Sequence, residues 1–247
     1  MSKISLNRNQ LKYIAVLAML IDHVAWAFVP MFSAAGQIMH FIGRFTAPVM
    51  CYFVAEGYFY TRNVRKYLLR LGIFALISWL PFAWFELGGD LFESGRFLLA
   101  QSVIYTLFLG LLALHIWNGA ETRPQKVFAV ILICILSMVG DWAFFGVLWI
   151  LFFGIYHGNL KLQIRSYYIV ATVSMSAMIL QRIPKFISGD VPFYTVLWQF
   201  GLLVAPLFLI CYNGERGSGK TVHKWFFYIF YPAHLLVLCI LKYIVLT

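Results

Sequence analysis

The sequence has few charged residues, and acidic residues are the scarcest of them. Charged side chains make up 11% of the 247 residues and only nine are Asp or Glu, while 62% of the residues are hydrophobic. A soluble fold of this length leaves too much surface facing water to hide so many apolar side chains. The composition therefore excludes a soluble domain and predicts one all-α, polytopic membrane bundle over residues 1–247.

Cysteine is rare, and several catalytic motifs are missing. The four cysteines, Cys51, Cys134, Cys211 and Cys239, all lie in apolar runs, and none belongs to a CxxC pair. We therefore predict no disulfide framework and no metal site. The sequence also lacks GxSxG, HExxH and a carboxylate cluster of the two-metal type, which excludes the hydrolases that those patterns mark.

Long apolar runs are abundant instead. Runs long enough to be helices of a membrane bundle predict about nine transmembrane helices, at 11–32, 37–59, 67–86, 97–117, 125–139, 143–157, 166–183, 193–212 and 225–246. The fifth and sixth are short and are joined only by residues 140–142. They form either a tight hairpin or a partly re-entrant pair.

The basic residues indicate how the bundle is oriented. With the N-terminus in the cytoplasm, 14 of the 19 Lys and Arg fall on predicted inner segments, beginning with Lys3 and Arg8. The acidic residues Glu86, Asp90 and Glu93 fall outside. This asymmetry predicts a multi-pass protein of the cytoplasmic membrane, and it explains the net charge of +10 without a nucleic-acid partner.

One inner segment contains a nucleotide-binding pattern. Residues 214–221 read GERGSGKT and match the phosphate-binding loop. That loop works where a buried strand delivers it to a helix N-terminus, but apolar membrane segments flank this one. We therefore predict no nucleotide hydrolysis, although Arg216 and Lys220 remain candidates for contacts with other phosphates.

Four polar residues lie near the middle of predicted membrane helices. At 1.5 Å per residue, Asp22, Arg44 and His234 all lie about 14–18 Å above the inner surface, and His23 adjoins Asp22. Each is costly to bury in lipid, by at least ~2.5–3.5 kcal/mol for a charged group, and is a functional candidate.

Helical geometry indicates how these residues are paired. Asp22 shares a face with Ala15, Ala18 and Ala25, so it points into the bundle. His23 lies about 100° further round the helix, so each of the two needs a partner from another helix. We predict an Asp22–Arg44 ion pair, because each charge would otherwise stand alone in a medium of low dielectric constant.

This constellation fits more than one activity. A histidine is suited to general base catalysis, an arginine can bind an oxyanion, and basic inner loops can hold the phosphates of a cytosolic donor. These features fit acyl transfer from a cytosolic thioester. They equally fit a proton-coupled transporter or exporter that uses the Asp22–Arg44–His234 layer. An assembly factor without chemistry is a third possibility.

The sequence also resembles the TraX family, integral membrane proteins named for N-terminal acetylation of F-type pilin and similar to transmembrane acyltransferases that use acetyl-CoA. The resemblance runs in order from about Leu11 to Tyr243. Its most specific parts are Ile21–His23, Gly43–Pro48, Glu56–Tyr58, Thr61–Asn63 and Tyr231–His234.

The resemblance implies an acetyltransferase with acetyl-CoA as donor and no metal, and with an acceptor amine or hydroxyl of unknown identity on a peptide or an envelope sugar. We expect one histidine to deprotonate the acceptor or to carry the acetyl group, and we favour His234 over His23. The expected catalytic residues are His234, His23, Asp22 and Arg44; the donor-binding residues are Arg62, Asn63, Arg65, Arg70, Arg216 and Lys220; and the acceptor-binding residues are Glu56, Tyr58, Tyr231 and Asp141.

Overall fold

A computed structural model describes residues 5–93 and 95–246, and Lys3 lies outside them. The described chain is all-α. Its only extended pairings are two isolated bridges, Leu6 with Tyr212 and Gln101 with Gly140. Ten α-helices follow one another: α1 Arg8–Phe28, α2 Ala34–Gly43, α3 Thr46–Tyr60, α4 Val64–Leu87, α5 Val103–Gly119, α6 Arg123–Leu136, α7 Ala143–Ile155, α8 Leu160–Ile187, α9 Ala205–Ile210 and α10 Thr221–Ile240.

The nine predicted apolar segments each coincide with one helical rod. Several rods contain more than one helical type: a 3-10 helix at Phe193–Val204 runs into α9, for example, and α10 continues as a π-helical turn at Leu241–Val245. Five rods are long and apolar enough to cross a membrane, at 8–28, 34–60, 64–90, 193–210 and 221–245, and α5 and α7 are shorter apolar helices. The protein is therefore a membrane protein by the length and composition of its helices.

The rod at 34–60 is broken in the middle. Its predicted single helix is in fact α2 and α3, which meet at Arg44 and Phe45. Pro48 explains the break, because proline has no N–H to donate to the carbonyl of Arg44 four residues earlier and its ring collides with that carbonyl.

The short pair of predicted helices is a hairpin with unequal partners. The α7 helix is in the core, where Trp149, Ile150 and Phe153 are almost fully buried. The α6 helix lies at the edge and buries only Ile133. Since α7 contacts both α3 and α5, it forms the centre around which the other helices pack.

Segments predicted to share one side of the membrane lie together. The backbone N–H of Leu6 donates to the carbonyl of Cys211 and that of Arg8 to the carbonyl of Glu215. At the opposite end, the amide of Gln101 donates to the carbonyl of Val139. These contacts agree with the alternation of the nine segments.

Candidate functional site

Two histidines from the first and last helices meet inside the bundle. Nε2 of His234 lies 2.9 Å from Nδ1 of His23, and Nδ1 of His234 lies 2.8 Å from the carbonyl oxygen of Phe230. Because a carbonyl only accepts hydrogen bonds, Nδ1 of His234 carries a proton and its Nε2 is the acceptor in the neutral ring. His23 therefore donates from Nδ1, and its Nε2 keeps a lone pair.

Asp22 has a different partner from His23. Nδ1 of His40 lies 2.7 Å from Oδ1 of Asp22, and the His40 ring is fully buried against Trp26, at 4.4 Å between ring centroids. The two helices approach closely because residue 43 is Gly, where a Cβ would collide with the Asp22 side chain. The prediction that Asp22 and His23 each need a partner from another helix is confirmed.

The predicted Asp22–Arg44 ion pair is wrong. In the described chain no carboxylate lies within ion-pair distance of Arg44. Its guanidinium carbon instead lies 3.9 Å from the ring centroid of Trp198 and 5.1 Å from that of Trp142. His40, one turn earlier on α2, pairs with the Asp22 carboxylate instead, and the aromatic rings stabilise the Arg44 cation.

A cavity of about 120 Å³, here called the histidine cavity, opens beside these groups. Its lining includes the polar side chains of Asp22, His23, Asp141 and Tyr231, whereas His234 contacts His23 and is not part of the lining as far as the chain is described. Of the two predicted histidines, the structure therefore presents His23 to the cavity. His234 lies where it fixes the orientation of the His23 ring.

A second cavity, of about 430 Å³, lies at the end predicted to be cytoplasmic and is here called the basic chamber. No Asp or Glu belongs to its lining as far as the chain is described. Its cationic side chains are Arg8, Lys12, Arg70, Arg216, Lys220 and Lys224. Six positive charges without a lining carboxylate make this chamber suited to a ligand with several negative charges.

The two cavities adjoin each other. Five residues line both of them: Lys12, Phe53, Tyr67, Phe227 and Tyr228. Apart from Lys12, these are aromatic side chains, so the basic chamber and the histidine cavity meet at an aromatic boundary.

A third cavity, of about 290 Å³, lies at the opposite end and is here called the outer cavity. Glu86, Arg96 and Gln101 line it, and Asp141 lines both it and the histidine cavity. Enclosure by protein and, after it, the charge of Glu86 raise the pKa of Asp141 to about 7. Asp141 therefore exchanges a proton near neutral pH, at the junction between the two cavities.

Comparisons with known proteins agree with these features. The family model described as TraX protein matches residues 7–242. The chain belongs to the TraX family. It is similar to the "Probable fimbrial assembly protein FimC, serogroup H1" of Dichelobacter nodosus, with 33% identity over 239 residues that make up 94% of each chain. No solved structure matches.

Three of the six residues predicted to bind the donor line the basic chamber of this TraX-family chain: Arg70, Arg216 and Lys220. The other three do not. Arg62 and Arg65 are exposed and lie outside its lining, and the side chain of Asn63 accepts a hydrogen bond from the backbone of Lys66 at the start of α4. Helix α4 presents Tyr67 and Arg70 to the chamber, so residues on its other faces point elsewhere.

Two of the four predicted acceptor-binding residues also lie away from the cavities. The Glu56 carboxylate is buried 3.2 Å from Nε2 of His157, and the Tyr58 ring packs 5.1 Å from Phe59. The neighbouring residue Gly57 lines the basic chamber instead. Tyr231 and Asp141, the other two, do line the histidine cavity.

The GERGSGKT segment lacks the strand that a phosphate-binding loop requires. It follows α9, and helix α10 begins only at Thr221. Asn9 Nδ2 donates to the carbonyl of Ser218 at 2.8 Å, and Gly217, with φ of 76°, packs against Asn7. The N-terminal segment therefore holds this loop in place as a wall of the basic chamber.

Four residues of the site were missed from the sequence: His40, Arg8, Lys12 and Lys224. A helical signal was present for the first three. His40 precedes Arg44 by four residues, and Arg8 precedes Lys12 by four, so each pair shares a helix face. For Lys224 only the basic loop composition gave any indication.

Proposed function

We propose that this protein is an integral membrane acetyltransferase that moves an acetyl group from cytosolic acetyl-CoA to an acceptor amine or hydroxyl. One observation carries the proposal, namely that the basic chamber adjoins the cavity lined by His23 at a boundary of shared aromatic side chains. Membership of the TraX family supports an acetylation reaction, since the family resemblance implies one.

The basic chamber and the aromatic boundary suit the two ends of acetyl-CoA. The phosphates of coenzyme A need several cations, and Arg70, Arg216 and Lys220 are three of the six in the basic chamber. The pantetheine arm is long, thin and mostly apolar. It therefore suits the aromatic boundary formed by Phe53, Tyr67 and Phe227. A donor bound in this way brings its thioester to the histidine layer.

His23 is the proposed general base, and His234 positions it. Nε2 of His23 takes a proton from the acceptor while the acceptor nitrogen or oxygen attacks the thioester carbonyl carbon. The carbon–sulfur bond then breaks, and the proton on His23 passes to the leaving coenzyme A thiolate. The hydrogen bonds to Phe230 and His234 hold His23 in the tautomer with an unprotonated Nε2. A route through acetyl-histidine would use the same nitrogen as nucleophile.

The acceptor is proposed to enter from the outer cavity. Asp141 is shared by the outer cavity and the histidine cavity, so an acceptor at Asp141 is next to the donor thioester. A peptide amine of a fimbrial subunit is our first candidate, because a relative is named as a probable fimbrial assembly protein. An envelope sugar hydroxyl is the other acceptor class.

The name of that relative, a probable fimbrial assembly protein, also favours a second candidate function, an assembly factor that performs no chemistry. Such a factor needs no donor site, and the acyltransferase proposal requires one. The transporter hypothesis has less support, because Asp22, Arg44 and His234 make separate contacts with His40, Trp198 and His23 instead of one relay.

Purified protein in lipid nanodiscs tests the proposal. Radiolabelled acetyl-CoA is supplied with peptides that carry free N-termini, with the same peptides blocked, and with envelope sugars. We expect acetyl-CoA to bind and label to transfer to one acceptor class, and His23→Gln to abolish transfer while binding persists. Failure of the wild-type protein to bind acetyl-CoA would contradict the enzyme and favour the assembly factor.

A further inference from the structure

The first turn of α5 faces the histidine cavity without a cap. Ser102 is the N-cap residue, a type that normally accepts a hydrogen bond from the first turn, but its side chain makes no capping bond. Its Oγ is buried and has no hydrogen-bond partner in the described part of the chain. The next two residues, Val103 and Ile104, line the cavity together with His23.

Two amides at this helix end have no regular acceptor. In the part of the chain that the structure describes, the amides of Val103 and Ile104 bond to no carbonyl, while the amides of Tyr105 and Thr106 both use the carbonyl of Ser102. The positive end of a 17-residue helix is thus directed at the cavity.

Tyr231 supplies an independent observation at the same place. The residue is 4% exposed, and its hydroxyl is buried without a hydrogen-bond partner in the described chain. Its ring centroid is 6.3 Å from that of His23 and 5.6 Å from that of His234. A buried hydroxyl without an acceptor is destabilising, so a ligand that accepts a hydrogen bond from it binds more tightly.

The charged groups around the histidine cavity are compatible with a transient negative charge beside the first turn of α5. The Asp22 carboxylate already accepts a hydrogen bond from Nδ1 of His40. Arg44 lies among the charges that act on both Asp22 and Asp141. The first turn of α5 and Tyr231 therefore provide donors that no resident anion uses.

We propose that the first turn of α5 and the Tyr231 hydroxyl form an oxyanion hole for the acyl group. The inference rests on the proposed function and assigns Tyr231 and the backbone of Ile104 to its chemical step. When the acceptor attacks, a bond forms to the carbonyl carbon and the carbonyl π electrons move to oxygen. The Ile104 N–H and the Tyr231 O–H donate to that oxygen.

The charge then returns as the intermediate collapses. The carbonyl re-forms and the carbon–sulfur bond breaks. The coenzyme A thiolate leaves and takes up the proton held by His23. Tyr231 keeps its proton throughout.

Tyr231→Phe is the test, because it removes the hydroxyl and keeps the ring that packs on His23 and His234. With radiolabelled acetyl-CoA and the acceptor that the wild-type protein uses, we expect kcat to fall about 10²- to 10³-fold, as for loss of one oxyanion donor. The KM for acetyl-CoA, its directly measured Kd and the pH profile of kcat should stay within about twofold of wild type. Tyr168→Phe is the matched control, since the Tyr168 hydroxyl donates to the carbonyl of Leu203 and Tyr168 lines none of the three cavities.

The outcomes separate this inference from the proposed function. An active wild type with Tyr231→Phe at nearly full kcat overturns the oxyanion hole alone. A rise in the acetyl-CoA Kd that matches the loss of kcat/KM also overturns it, because the hydroxyl would then bind the ground state. A wild-type protein that neither binds nor uses acetyl-CoA overturns both.

Discussion

Nε2 of His234 lies 2.9 Å from Nδ1 of His23, although 211 residues separate them in the chain. The two rings are not equivalent, because the Phe230 carbonyl fixes the proton on Nδ1 of His234. The hydrogen bond then runs from His23 to His234. The free lone pair is therefore on His23, the ring that lines the histidine cavity. The sequence had favoured His234 as the base.

Substitution of the two histidines should therefore have unequal effects. His23→Gln removes the proposed base, and we expect kcat to fall by about 10²- to 10⁴-fold, as is usual for general base catalysis. His234→Gln keeps an amide oxygen that can accept from Nδ1 of His23, so its loss of kcat should be smaller. Initial rates at saturating acetyl-CoA measure both. An equal or larger loss in His234→Gln would assign the base to His234.

Sequence reasoning identified the helical rods well, because long apolar runs specify them almost alone. It also placed Asp22, Arg44 and His234 at similar depth, since rise per residue is constant along a helix. It failed on the partners of Asp22 and Arg44. Depth does not give the rotation of a helix, so it could not show that His40, and not Arg44, meets Asp22.

The basic chamber shows a second limit of the sequence. The positive-inside pattern marks which loops are basic but not which side chains converge. Arg65 and Arg70 look alike in sequence, yet only Arg70 faces the chamber. Arg8 and Lys12 belong to the first helix, so only the folded packing brings them to the segment at 212–220.

Removal of a chamber charge should weaken donor binding. The Nε of Arg70 is buried and has no hydrogen-bond partner in the described part of the chain. Arg70→Gln should therefore raise the acetyl-CoA Kd about 10- to 100-fold, which is the range for the loss of one charge-assisted hydrogen bond. Isothermal titration calorimetry at two salt concentrations measures the Kd and should show a weaker salt dependence in the variant. Arg65→Gln on the same helix is the control. Equal effects of both would show general electrostatics without a defined phosphate site.

The Asp22–His40 pair should stabilise the fold. Asp22→Asn removes the charge that faces a fully buried imidazole, and we expect the free energy of unfolding to fall by about 1–3 kcal/mol. Tryptophan fluorescence during denaturation in detergent reports this change, because Trp26 packs on His40. His40→Gln and the double variant complete a cycle. Purely additive effects would contradict a direct interaction.

Close packing at Gly43 should tolerate no larger side chain. A Cβ there collides with the Asp22 side chain, so Gly43→Ala should destabilise the protein by about 1–3 kcal/mol, as overpacking usually does. It should also lower acetyl transfer, because Asp22 adjoins His23. Gly119→Ala, at the end of α5 with no atom within 4 Å of its added Cβ, is the matched control. Unfolding midpoints of the two variants in detergent should differ clearly, and equal midpoints would contradict close packing.

The glycines of GERGSGKT provide the sharpest distinction between a chamber wall and a phosphate-binding loop. Gly217 has φ of 76° and packs on Asn7, so Gly217→Ala should detach the loop and raise the acetyl-CoA Kd. Gly219, directly before Lys220, has nothing within 4 Å, and Gly219→Ala should leave acetyl-CoA binding unchanged. A phosphate-binding loop would depend on that second glycine, because its backbone amides must approach the phosphate. Loss of ligand binding in Gly219→Ala, with Gly217→Ala unaffected, would restore the nucleotide-binding interpretation of this segment.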